Sequence, residues 1–85
     1  MSGAIEDEIR KIVGELLSLD PAVVDASTPF DEFGMSSTMR VRLLATVETR
    51  FDVLVDTDEV DRLVDLRGAA AVVSEALARR QAEPG

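Results

Sequence analysis

The 85-residue chain has no cysteine and no histidine. Without them, Ser-His-Asp and Cys-His arrangements cannot be assembled, nor can an imidazole general base. Zinc sites that rely on those ligands are excluded on the same ground. No disulfide framework can exist, so a cytoplasmic location is the default expectation. No apolar run reaches the length of a membrane span, and no basic start followed by an apolar block marks a secretory signal. A phosphate-cradling glycine-rich loop is missing too. The acidic cluster Asp56, Asp58, Glu59 and Asp61 does not read as a calcium loop. Counted from Asp56, the fifth and sixth places hold Val60 and Asp61, where that loop needs an oxygen ligand and a glycine. Self-contained catalysis has no constellation to stand on, and a non-enzyme is expected.

What remains is a chain built for one small core. Hydrophobic residues make up 46% and charged residues 31%, and the length is too short for a second core, so residues 1–85 read as a single domain. The net charge of −8 argues against nucleic acid, whose binders need a basic face. An acidic surface suits basic patches on partner proteins.

Apolar residues recur at helical spacing through most of the chain. Ile5, Ile9, Ile12, Val13, Leu16 and Leu17 form one stripe of a first helix over about 4–18. Asp20-Pro21 is expected to end it, because the residue before proline disfavours helix. A long connection over 19–36 follows, and Val23, Val24, Phe30 and Phe33 should pin it to the core. The second helix spans about 37–51, with Leu43, Leu44, Val47 and Phe51 on its buried face. An extended link then leads to a short third helix near 57–63, for which Asp56 and Glu59 resemble a capping box. Asp65 caps a fourth helix over about 66–80, with a tail from Gln81 onward. The expected fold is all-α: a four-helix bundle of three longer helices and one short one, with a long loop before the second.

The stretch Phe30-Asp31-Glu32-Phe33-Gly34-Met35-Ser36-Ser37-Thr38 lies where that loop enters the second helix. A serine at a helix start is a natural cap, and it is also a favourable place for a phosphate ester, whose charge the helix end stabilises. Two serines stand there, and a cap needs one.

This stretch, with Val41, Leu43, Leu44, Val47 and Phe51 in register behind it, resembles the acyl carrier protein family, including the carrier domains of polyketide and nonribosomal peptide synthesis. The family pattern is an apolar residue, then Leu-Gly-x-Asp-Ser-Leu, then an apolar-periodic helix ending near Phe. Gly34 falls on the family glycine, and Ser37 on the serine that receives 4′-phosphopantetheine. Two departures stand beside it. The family's Asp is Ser36, which keeps Ser36 as a minor alternative attachment residue, and the Leu after the serine is Thr38.

The resemblance implies a carrier, stand-alone in this reading, that holds an acyl or aminoacyl group as a thioester, with secondary-metabolite biosynthesis as the expected setting. The alternatives are an aminoacyl carrier loaded by a dedicated ligase outside such pathways, or an unmodified helical interaction module. It implies a phosphopantetheinyl transferase, an acyltransferase or adenylating ligase, and synthase or transferase enzymes as partners, with no nucleic acid, no membrane and a monomeric carrier. Met35, Thr38, Met39, Val41, Arg42, Ala45 and Glu48 are expected to form the partner-binding surface around Ser37. That surface is unusual in charge. Family members carry an acidic second helix, whereas residues 37–51 here hold Arg40, Arg42 and Arg50 against Glu48 alone, a net +2.

Overall fold

The computed structural model describes residues 2–82 and is all-helical there. Three long helices, α1 (Ser2–Leu17), α2 (Ser37–Phe51) and α3 (Leu66–Ala82), pack around one core. The short third element of the bundle is a 3-10 helix, Thr57–Arg62. The tail read from Gln81 onward is corrected at its start, because α3 continues through Gln81 and Ala82; the rest of it lies outside the described residues. No helix among the described residues is long and apolar enough to cross a membrane.

α1 buries Ile9, Ile12 and Val13 completely, with Ile5, Leu16 and Leu17 packed at the margin. Its end differs in mechanism from the proline stop read in the sequence. Ser18 adopts a left-handed conformation (φ 57°), and the Leu19 N–H returns to the Gly14 carbonyl at 2.8 Å. Asp20 has another role: its carboxylate accepts the Ala22 N–H at 2.9 Å and caps the 3-10 turn Pro21–Val23.

The long loop is anchored by that turn and by a second 3-10 helix, Phe30–Phe33. Val24 and Phe30 are fully inside and Phe33 packs at the edge, but Val23 is 53% exposed and anchors nothing. In a turn so short only one of two adjacent valines can face inward. The Phe30 N–H donates to the Val64 carbonyl at 2.7 Å, which ties the loop to the segment before α3.

α2 presents Leu43, Leu44 and Val47 to the core at the three- and four-residue spacing of a helix face. Arg50 reaches across to α1, with Glu8 at 2.6 Å and Glu15 at 3.0 Å. Beyond Asp52, the link alternates: Val53 and Val55 are buried while Leu54 is 88% exposed. The capping box read at Asp56 and Glu59 does not form, because the Asp56 side chain makes no cap hydrogen bond. Glu59 instead pairs with Arg62 at 3.1 Å. Arg62 also grips Glu75 of α3 through two hydrogen bonds of 2.8 Å, holding the short helix on the long one. Beside that guanidinium the Glu75 carboxyl sits below its ordinary range. Its folded pKa is depressed, so the clamp contributes at neutral pH and is lost as pH falls through that lowered value.

Asp65 accepts the Gly68 N–H at 2.8 Å and caps α3. A Cβ added at Gly68 would run into the Arg62 carbonyl oxygen, which is backbone and cannot step aside cheaply. Gly68→Ala is therefore expected to cost about 1–3 kcal/mol, the range for forced overpacking. Gly3→Ala is the control, since nothing lies within 4 Å of its Cβ. Thermal melts check the pair: Gly68→Ala should melt lower than the parent and Gly3→Ala should not.

Candidate functional site

The entry to α2 is shaped by one left-handed residue. Gly34 stands at φ 91°, a conformation that glycine adopts without strain, and it closes the 3-10 helix through its N–H to the carbonyl of Asp31. The chain then turns back, and the Met35 N–H bonds the Phe30 carbonyl at 3.2 Å. That turn drives Met35 into the core at 5% exposure. The expectation that Met35 belongs to a partner surface is thereby corrected.

Past Met35 the two serines separate. Ser36 is extended (φ −86°, ψ 171°), and its hydroxyl accepts the Met39 N–H at 3.2 Å, so it is the N-cap of α2. Ser37 is the first helical residue, exposed, and no hydrogen bond engages its hydroxyl among the described residues. One serine holds the helix; its neighbour points a free Oγ outward at the helix's positive end.

The surroundings of Ser37 sort into three groups. Thr38, Val41, Arg42 and Ala45 are exposed, with Val41 at 57%. Met39 is half-buried against the core. Glu48 is turned to internal use: its Oε2 accepts the Val55 N–H at 2.9 Å, fastening the link after α2. Sequence periodicity alone placed it on the outer face, because a contact to residue 55 is set by tertiary structure.

The basic charge of α2 is similarly redistributed. Arg50 is spent on Glu8 and Glu15, and Arg40 on Asp31 at 2.8 Å. No ion pair engages Arg42 among the described residues, so it is the one arginine of α2 left to face a partner. A hollow of about 290 Å³ lined by Asp52, Val53, Leu54, Ala76, Arg79 and Arg80 lies past the C-terminal end of α2. A helix of this length puts it roughly 20 Å from Ser37.

Among the described residues these features amount to a helical scaffold with an exposed, unengaged serine hydroxyl at the head of α2 and no catalytic constellation. Comparison with known proteins gives that class its family. Residues 7–73 match the family model described as phosphopantetheine attachment site. The chain is 34% identical over 77 residues to polyketide-8 synthase acyl carrier protein 1 of Streptomyces avermitilis, covering 89% of this chain and 92% of that one. It is 33% identical over 75 residues to an acyl carrier protein of Streptomyces coelicolor, covering 85% and 80% respectively. It is also 32% identical over 66 residues to a non-reducing polyketide synthase of Aspergillus calidoustus, of which it spans 3%. The chain belongs to the phosphopantetheine-attachment family of acyl carrier proteins. It is a carrier rather than a catalyst, its prosthetic group is 4′-phosphopantetheine, and carriers of this kind work with synthase and transferase partners.

The residues at the head of α2 fit that group. Ser37 supplies an exposed hydroxyl with no competing hydrogen bond. One turn on, Arg40 carries a buried Nε with no partner among the described residues, a donor in want of an acceptor.

Proposed function

We propose that Ser37 carries the 4′-phosphopantetheine, and that the domain passes acyl or aminoacyl groups between enzymes of a polyketide-type or related assembly. The division of labour between the serines supports this most directly: Ser36 is consumed as a cap while Ser37 Oγ is free and exposed. The bound group supplies a flexible arm ending in a thiol, which this cysteine-free chain cannot provide. Ser37 anchors that arm, α2 orients it, and the exposed strip Thr38, Val41, Arg42 and Ala45 meets the partner. The polyketide setting draws on the names of the relatives, and the partners it entails are a phosphopantetheinyl transferase, a loading acyltransferase or adenylating ligase, and the enzymes that take the acyl group onward. Incubation with coenzyme A and a broad-specificity transferase, followed by intact-mass measurement, tests it. One added phosphopantetheine is the expected result, and an unchanged mass would favour an unmodified interaction module.

Arg42 gives the docking face its sign. An exposed, unpaired charge acts mainly on encounter and on partner choice. Arg42→Glu should slow acyl transfer by the cognate enzyme at low salt, and the deficit should shrink as salt shortens the screening length below about 8–10 Å. Transfer kinetics at two salt concentrations, with circular dichroism as the folding control, decide it. Equal rates at low salt would reduce Arg42 to a solvated surface charge.

A further inference from the structure

Arg40 carries the one buried side-chain polar atom left without a hydrogen-bond partner among the described residues. Its guanidinium makes one ion pair, Nη2 to Asp31 Oδ1 at 2.8 Å, and its Nε is buried without an acceptor. The Arg40 side chain is only 20% exposed, whereas Asp31 is 71% exposed and lies in the 3-10 helix before Gly34. The pair therefore joins a mostly covered cation to an anion that water can solvate well without it.

Arg40 follows Ser37 by three residues on α2, so the two side chains are neighbours on the helix surface, with Cβ atoms about 5–6 Å apart. Helical side chains lean toward the N-terminus, which carries the Arg40 guanidinium back over the turn that holds Ser37. That lean agrees with its observed reach to Asp31. A planar guanidinium favours an oxyanion offering two oxygens over a single carboxylate contact. The phosphodiester of a Ser37-linked arm has two such oxygens and sits within one helical turn.

We infer that Arg40 is a positioning residue that exchanges partners on loading: it holds Asp31 in the unmodified protein and the phosphodiester in the modified one. This rests on attachment at Ser37. No covalent bond to Arg40 forms or breaks; one ion pair replaces another. In the unmodified state the Arg40–Asp31 contact ties the 3-10 helix Phe30–Phe33 to the first turn of α2. After the exchange, the Asp31 carboxylate is released to solvent beside the arm. Loaded and unloaded carriers then present different charge at the same edge of the docking face, a difference that partner enzymes can read.

The test compares unmodified and modified forms of the full chain, with intact mass confirming each modification. If the parent takes up no phosphopantetheine, the attachment proposal fails by itself, before Arg40 is in question. With modification achieved, loading should raise the parent's Tm, by an amount on the order of 4–8 °C, the scale on which a domain this long registers a net gain the size of one ordinary hydrogen bond. Arg40→Gln should cut that gain by at least half. Asp31→Asn, which removes the competitor, should enlarge it. Opposite signs in the two variants are what partner exchange requires. A static Arg40–Asp31 bridge predicts the same loading gain in both variants and would overturn it. The Arg40 Nε–H resonance gives a second readout that needs no variant to fold: it should shift on modification of the parent protein, and an unmoved resonance would also overturn the exchange.

Discussion

Ser37→Ala is expected to abolish uptake of phosphopantetheine and to leave the thermal melt nearly unchanged, while Ser36→Ala should lower the melt and still permit modification. These opposite pairs of outcomes follow from the geometry at the start of α2. The Ser36 hydroxyl accepts the Met39 N–H at 3.2 Å, and losing an N-cap of this type costs about 0.5–2 kcal/mol. Ser37 Oγ makes no hydrogen bond among the described residues and is exposed, so alanine there leaves no cavity and orphans no donor. What it removes is the only atom to which the arm can be esterified at that residue. Intact mass and peptide mapping of both variants, with melts alongside, give the four results. Phosphopantetheine recovered on Ser36 in the parent protein would sink the assignment. So would residual loading of Ser37→Ala.

The helices were legible because their signal is local. Leu43, Leu44 and Val47 are buried on α2 where the spacing put them. Asp65 caps α3 through a bond to a residue three ahead, again a local rule. Failures begin where a residue's fate is decided by chain far away. Glu48 reads as an outer-face acid until the link beyond α2 brings the Val55 N–H to it. Arg50 reads as surface charge until α1 brings Glu8 and Glu15, across sequence separations of 42 and 35 residues.

Met35 was misplaced for a different reason. Its burial depends on Gly34 turning left-handed, and a glycine in sequence licenses that conformation without requiring it. The serine pair is the clearest limit. Both serines precede an apolar helix, so composition cannot say which one is the cap. A shift of one residue in the helix start exchanges their roles. Family resemblance favoured Ser37, and backbone geometry supplies an independent reason for the same choice, since only Ser36 is extended and bonded to Met39.

Phe30→Ala should be the most damaging single change to the scaffold. The ring is fully buried, and it is the largest side chain of the interior so enclosed. Truncation of a buried phenylalanine costs about 3–5 kcal/mol, through lost transfer energy and the cavity left behind. Small domains hold roughly 5–15 kcal/mol in total, so the variant would keep little margin. The damage is also aimed at the site. Phe30 joins the loop to the pre-α3 segment through its N–H and the Val64 carbonyl at 2.7 Å, and its own carbonyl accepts the Met35 N–H at 3.2 Å. Loss of the ring loosens the anchor on which the Gly34 turn, and hence the start of α2, is built. Phe33→Ala is the comparison, because Phe33 belongs to the same 3-10 helix but only packs at the edge of the core. In a domain of this length each kcal/mol moves Tm by about 4–8 °C, so Phe30→Ala should fall by well over 10 °C and Phe33→Ala by much less. Hydrogen exchange at the Met35 amide should quicken in the first variant before global unfolding begins. A Phe30→Ala protein that melts within a few degrees of the parent would show that the loop is held by its backbone bonds, with the ring a passenger.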